Sequence, residues 1–260
     1  GAGNVATNLV AAGQNVQVMS IIGDDGAGKR LKYLMDKSNI GSEFIIALNR
    51  HTTEKTRFLA SNNQQVIRLD VEDTDPLPDD MATLLVEKLE RRIKDFDLVL
   101  ISDYMKGLLT YDFTQSIIGK FSENNIPVII DVKDKNISKY VGATLLKPNL
   151  KELCELTGIK LESDDEIIAA SEKMQRETGA KFVLTTCGSR GMVLVGDDKP
   201  YFKDAVGQEV FDVTGAGDTA IAYVGACMAN GMSMQESVDI ANIAAGIQVS
   251  KVGTSAVYLS

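Results

Sequence analysis

Tryptophan is absent from this chain, histidine occurs once as His51, and cysteine three times, as Cys154, Cys187 and Cys227. The three thiols lie far apart and spell no C-x-x-C, so neither a zinc site nor a disulfide framework is expected, which fits a reducing cytoplasm. One imidazole leaves little room for catalysis by histidine. Positive charge is scarce too: 27 Lys and Arg against 36 Asp and Glu leave a formal charge of −9. That balance argues against nucleic acid as a partner, because binding a phosphate backbone wants clustered cations. A small phosphorylated molecule needs only a local basic patch. Long apolar runs are missing as well. The uncharged stretch at residues 219–235 contains Gly225, Asn230 and Gly231 and falls short of a membrane span, so a buried core helix is expected. No basic-then-apolar leader opens the sequence, and no signal peptide is expected.

What is present fits an α/β protein of 260 residues, 44% of them hydrophobic. Short, nearly continuous apolar runs at 16–22, 98–101, 128–130, 143–146 and 182–184 read as strands buried on both faces. Longer helix-like segments separate them, which predicts a mostly parallel sheet covered on both sides. Met81, Leu85, Leu89 and Ile93 repeat at helical spacing with charges between, as on a surface helix. Met234, Val238, Ala241 and Ala245 form a similar stripe with few charges opposite, so that helix should be well buried. Ile67, Leu69 and Val71 alternate with Arg68, Asp70 and Glu72, the period of a half-exposed strand. With residues 55–61 before it, a small antiparallel excursion over about 43–72 is predicted, either a lid or a solvated hairpin. Asp73-Thr-Asp-Pro-Leu-Pro78 reads as the linker back to the body.

Three constellations carry chemistry. Asp212-Val-Thr-Gly-Ala-Gly-Asp218 places three small residues before a carboxylate at the start of a helix-compatible run. Helical N–H groups at that point have no intrahelical partner and favour an anion, while Asp218 offers a proton acceptor beside it. Phosphoryl transfer to a hydroxyl needs that combination, though Gly-Ala-Gly-Asp also serves as a plain turn with an Asp near a helix start. Asn149 and Glu152, three apart after an apolar strand, can converge at a helix start or simply make a capping box. Thr186-Cys-Gly188-Ser-Arg-Gly191, between two apolar runs, passes equally as a hairpin turn. A fourth stretch, residues 23–30, nearly spells the phosphate loop G-x-x-x-x-G-K-[ST]. Arg30 there lacks the hydroxyl that would ligate magnesium, and Asp24 and Asp25 place carboxylates where amides should face phosphate. A strand end, turn and capped helix is the better reading.

The spelling Asp212-x-Thr-Gly-Ala-Gly-Asp218 resembles the second signature of the ribokinase (PfkB) family of carbohydrate kinases. The resemblance implies a ribokinase-like three-layer α/β/α fold with a small antiparallel β lid, and an enzyme using ATP and Mg²⁺. In that family the amides of Gly215, Ala216 and Gly217 stabilise the transferring phosphoryl group, and Asp218 receives the proton. Asn149 and Glu152 would organise the magnesium shell through water. Thr186, Gly188, Gly191 and Asn242 would line the nucleotide, although Asn242 could equally be a core helix residue.

The resemblance runs over essentially the whole chain, read as one kinase domain, residues 1–260. Gly1-Ala-Gly-Asn4, Asn63-Gln-Gln-Val-Ile-Arg68-Leu-Asp70, Ser102-Asp-Tyr-x-Lys106-Gly107 and Gly142-Ala-Thr-Leu-Leu-x-Pro-Asn149 are similar to the D-glycero-D-manno-heptose-7-phosphate kinases. Those enzymes make the 1,7-bisphosphate on the way to ADP-heptose and lipopolysaccharide, often as the first half of a bifunctional kinase/adenylyltransferase. The likeness implies Gly3 and Asn4 at the sugar, Arg57, Arg68 and Lys106 at its distal phosphate, and a homodimer formed through the lid. The chain opens inside the family's first glycine motif. The family's opening strand, with its acidic sugar-binding residue, and one lid segment are therefore expected to be missing. Asp131-Val-Lys133-Asp also departs from the Asp-Pro-Lys-Gly of the heptose enzymes. Another ribokinase-like sugar kinase, or a nucleotide- or sugar-binding piece without turnover, are the alternatives.

Overall fold

The computed structural model describes residues 1–46, 49–60, 64–206, 212–251, 253–254 and 256–258; the side chains of residues 43–46 and 65 lie outside that description. The body is a six-stranded sheet. Four strands, β5 (Val99–Ser102), β6 (Val128–Asp131), β7 (Leu145–Lys147) and β8 (Phe182–Thr186), run parallel. Beyond β8 the sheet continues with β9 (Met192–Val195) and β10 (Tyr201–Lys203), each antiparallel to its neighbour. The apolar runs form strands because both faces are covered. Ile130, Leu146 and Val183 face a core with Phe121, Leu153 and Met174, while Ile129, Leu145 and Leu184 face a second with Ile221, Val224 and Val238. All of these but Phe121 are fully buried, and it is nearly so. That is the three-layer arrangement expected of a parallel sheet.

The first layer holds α3 (Asp79–Arg91), α4 (Tyr111–Glu123), α5 (Leu150–Thr157) and α6 (Asp164–Thr178); the second holds α1 (Ala2–Ala11), α7 (Ala216–Ala229) and α8 (Met234–Val249). Every residue from Asp218 to Cys227 in α7 is buried, so the uncharged stretch is a core helix. No helix among the described residues is long and apolar enough to cross a membrane.

A smaller body stands beside β5. Strand β1 (Gln17–Ile22) leads to α2 (Gly26–Lys37) and then to β2 (Gly41–Ile46), parallel to β1. The near phosphate loop proves to be a capped helix start. Asp25 Oδ1 accepts from Gly28 N at 2.7 Å and Oδ2 from Thr52 N at 2.8 Å. These amide bonds hold the Asp25 carboxyl below the usual carboxylate range, with Thr52 the larger contributor. A cavity of about 650 Å³ separates β1 from β5, lined by Val18, Ser20, Leu98, Leu100, Phe113 and Gly225 among others.

The antiparallel excursion is narrower than residues 43–72. Its hairpin is β3 (Glu54–Leu59) and β4 (Gln65–Val71), whereas residues 43–46 belong to β2 and pair parallel with β1. The reason lies in the spelling: Phe44-Ile-Ile46 is a continuous apolar run suited to a parallel body strand, and alternation begins only later.

Two glycines of the turn between β8 and β9 separate conformational demand from packing demand. Gly191 has φ +90, and a Cβ there would stand 1.9 Å from the Lys203 carbonyl oxygen; Gly188 has φ +59 with open space around it. Gly191→Ala should cost at least about 2 kcal/mol, strain and collision together. Gly188→Ala, strained only in its backbone, should cost roughly 1 kcal/mol. Urea unfolding of both variants checks the order, and equal costs would show that the β9–β10 side yields freely.

Candidate active site

The chemistry-bearing residues gather where the parallel strands end. Asp131 closes β6, Lys147 closes β7, Thr186 closes β8, and Asp103 and Tyr104 follow β5. This carboxyl edge is where open α/β sheets bind ligands. The N-terminus of α7 reaches the same edge: a Cβ on Gly217 would lie 3.5 Å from Lys147 Nζ.

Helix α7 begins differently from the three helices α5, α6 and α8. α5, α6 and α8 start with complete capping boxes, whereas α7 has Gly215 at φ +85 in the N-cap position and no side-chain cap. A Cβ on Gly215 would also come within 3.1 Å of Asn4 Nδ2. With no cap, the first amides of α7 remain available to an external acceptor. The preceding loop is tied down. Asp212 accepts from Thr214 N at 2.8 Å and Gly253 N at 3.1 Å, and buried Gln248 donates to the carbonyls of Thr214 and Gly253.

Asp218 sits in the first turn, about nine-tenths buried. Its Oδ2 accepts from Asn4 Nδ2 at 3.0 Å and from the amino group of Gly1 at 2.6 Å; its Oδ1 accepts from the Tyr104 hydroxyl at 3.2 Å. The structure thus brings Asn4 to Asp218. Gly3 is exposed nearby, with no heavy atom within 4 Å of a Cβ built on it.

Asn149 and Glu152 form a full capping box. Asn149 Oδ1 accepts from Glu152 N at 2.9 Å, and Glu152 Oε2 accepts from Asn149 N at 2.8 Å. The other oxygen, Oε1, pairs with Lys133 Nζ. Asn149 bridges to Thr186, so two of the constellations meet. Gly188 opens the short 3-10 turn that follows, and Gly191 closes it. Asn242 is buried in α8 and donates to the Asp204 carbonyl at 2.7 Å, tying the helix to the segment after β10.

Sequence reasoning missed four contributors: Asp131, Lys133, Lys147 and Tyr104. Asp131 and Lys147 are register partners on β6 and β7, joined at 2.8 Å, with the Lys147 side chain 4% exposed. Burial pushes the Asp131 carboxyl up. Lys147 opposes that shift, and the charges of Asp218 and Glu152 reinforce it. Burial acts to lower the Lys133 ammonium, but Glu152 and its neighbouring carboxylates outweigh it and raise the group. Asp131, Glu152 and Asp218 therefore share one electrostatic neighbourhood.

The three expected phosphate cations do not stand together as free charges. Lys106 pairs with Glu72 at 2.6 Å, and Arg68 with Asp70 at 2.9 Å. Arg57 is exposed and lies directly opposite Arg68 across the hairpin. Asn63 lies outside the described residues.

Residues 1–259 match the pfkB family carbohydrate kinase description. The chain belongs to that family. It is 38% identical over 260 residues to the bifunctional protein HldE of Aliarcobacter butzleri, covering 100% of this chain and 54% of that one. Against the bifunctional protein HldE of Trichlorobacter lovleyi it is 40% identical over 259 residues, covering 99% and 52%. The chain thus spans about half the length of these curated relatives. The fold is ribokinase-like. Escherichia coli phosphofructokinase-2, crystallised in complex with potassium, superposes with a TM-score of 0.83 at 20% identity, covering 98% of this chain and 82% of that one. The Arabidopsis thaliana ribokinase complexed with ribose and ATP gives 0.79 at 23%, covering 96% and 81%.

The Asp131–Lys147 pair generates a stability test. Lys147→Met leaves a buried carboxylate facing two others and should destabilise the protein by about 3–5 kcal/mol. Adding Asp131→Asn should recover part of that loss. Denaturant midpoints check this; a single variant within about 1 kcal/mol of the parent would mean the pair is not the local charge balance.

Proposed function

We propose that this chain is the kinase portion of an enzyme transferring the γ-phosphoryl group of ATP to the anomeric hydroxyl of D-glycero-D-manno-heptose 7-phosphate, giving the 1,7-bisphosphate. The observation that carries the transfer is Asp218 at the uncapped N-terminus of α7, above the strand ends. In this reading Asp218 accepts the hydroxyl proton, and the amides from Gly215 to Gly217 receive the charge spreading over the phosphoryl oxygens. The heptose substrate rests on the four sequence motifs and on the relatives named HldE.

ATP would lie along Thr186, Gly188 and Gly191, with Asn242 near its far side. The donor set suits magnesium carried by the nucleotide rather than caged by the protein. Among the described residues no group of three His, Cys, Asp or Glu is placed to hold a metal ion, while Glu152 supplies a hard, partly buried oxygen beside Asn149. Magnesium retains several waters and needs few protein oxygens. When bound, the ion neutralises phosphate charge. Glu152 and Asn149 would orient its waters, and Lys133 holds Glu152 in place.

One observation favours the second reading, a ribokinase-like kinase for a sugar without a distal phosphate. Two of the three proposed phosphate cations already have carboxylate partners. In the heptose reading the incoming dianion displaces Glu72 from Lys106 and Asp70 from Arg68. We also propose that a second copy of the chain covers the lid. Phe58, Ile67, Leu69 and Val71 share one face of the hairpin and are 40–59% exposed, an apolar strip that a partner's lid would bury. A cytoplasmic setting is part of the proposal, consistent with three unpaired cysteines.

The test uses the full-length protein. For the heptose phosphate, kcat/KM should exceed that for unphosphorylated sugars by at least ~10², because a sugar without the phosphate offers Lys106 and Arg68 nothing in exchange for their carboxylate partners. Comparable efficiency on ribose or fructose would select the second reading. Asp218→Asn should lower turnover by about 10²–10⁴ with little change in melting temperature, since Asn is isosteric and its amide oxygen can still accept from Asn4 or Tyr104. Glu152→Gln keeps the capping box but loses charge, so half-maximal rate should need more magnesium. A magnesium titration overlaying the parent's would reduce Glu152 to a cap.

A further inference from the structure

Tyr104 has no part in the transfer described above, yet it makes the hydrogen bond to the Oδ1 oxygen of Asp218. Its backbone sits in the loop after β5, which Arg50 and Leu77 N hold at the carbonyls of Lys106 and Gly107 and which Asp103 anchors next to Tyr104 itself. Asp103 is 2% exposed; its Oδ1 accepts from Met105 N at 2.8 Å, and its Oδ2 from Lys139 Nζ at 2.6 Å and the Tyr140 hydroxyl at 2.9 Å. Lys139 is buried as well and also meets Asp134 at 3.1 Å. Met105, next in sequence, is held at φ +51, a strained conformation for a residue with a side chain. Burying an ion pair of this kind is weak evidence for stability. The cluster does give the residue after Asp103 a fixed direction.

We propose that Tyr104 is a positioning residue for the base, with the Asp103 cluster as its anchor and the Asp218 carboxylate as the group it orients. This rests on the phosphoryl-transfer reading of the site. The torsion that turns a carboxylate is broad and weakly held on its own. In Asp218 it is pinned from both sides, by Tyr104 on Oδ1 and by Asn4 on Oδ2. An acceptor hydroxyl then meets an oxygen whose direction is set before it arrives, and in-line transfer depends on that alignment. Burial and the Asp218 charge both push the Tyr104 phenol up from its ordinary value, so it stays a donor throughout the working range.

The experiment is a double-mutant cycle in the full-length kinase, with Tyr104→Phe, Asp218→Asn and the double variant. Tyr104→Phe should lower kcat about 10- to 100-fold and leave the KM for ATP within about twofold. Its melting temperature should fall by no more than about 2 °C. Because Tyr104 acts through the carboxylate, the double variant should be no more than about threefold slower than Asp218→Asn alone. Two results would overturn the inference: an unchanged kcat in Tyr104→Phe, or losses that multiply in the double variant, which would give Tyr104 a role independent of the base. Near-normal turnover in Asp218→Asn alone is a different failure. It would remove the base itself, and this inference with it.

Discussion

The structure turns on the approach of an uncapped helix end to the carboxyl ends of parallel strands. α7 can make that approach only because it is apolar around its whole circumference, from Thr219 to Cys227, and so lies in the core with α1 and α8 against the sheet. An amphipathic helix would have kept one face in water. Depth has a consequence for charge. The helix end meets Lys147 and, through it, Asp131, both largely withdrawn from solvent. Each charge there is tolerable only with its partner, so the strand register that sets Asp131 opposite Lys147 is also what lets the site be dry.

In the function proposed above, the same edge separates two jobs for carboxylates. Asp218 is held by the neutral donors Asn4 and Tyr104, while Glu152 is held by an ammonium and a backbone amide. A carboxylate meant to take a proton needs a free lone pair and a fixed direction. One meant to order water around a cation needs charge and a rigid stem. The capping box of α5 supplies that stem, so capping and metal organisation are compatible roles for Asn149 and Glu152.

Much of this could be read from the chain. Continuous apolar runs marked β5 to β8 because burial on both faces removes alternation, and Asp25 marked the capped start of α2. The run from Asp212 to Asp218 marked the start of α7, and its reading as a site rests on the family resemblance, because Gly-Ala-Gly-Asp alone also spells a plain turn. Asp131, Lys147 and Tyr104 stayed hidden for the opposite reason. Each is an ordinary residue after an apolar run, and their convergence comes from strand order, which local pattern does not contain. The carboxyl-edge rule was the available signal, since all three close or follow a parallel strand. The antiparallel turn into β9 and β10 was visible as a possible hairpin, but its place at the sheet edge was not. Residues 43–46 fall in β2 and not in the lid, as their continuous apolar spelling suits.

The lid shows how specificity can be built from charges that already have partners. On one face of the hairpin Lys55 joins Asp70 and Glu72, Glu72 joins Lys106, and Asp70 joins Arg68. Such a chain keeps an otherwise cationic surface from capturing stray anions, because a ligand must displace a carboxylate to gain an ammonium. A monoanion exchanges one charge for one and gains little. A dianion whose geometry reaches Lys106 and Arg68 together replaces two separate pairs and leaves the carboxylates to water. Arg57 and Arg68, directly opposite each other, add a local repulsion that an anion between them would relieve. The opposite face of the hairpin, with Phe58, Ile67 and Leu69 exposed, lacks any such internal balance. An apolar contact there would fix the hairpin's position, and the charged face would then be presented to the sugar from a settled support rather than a free ribbon.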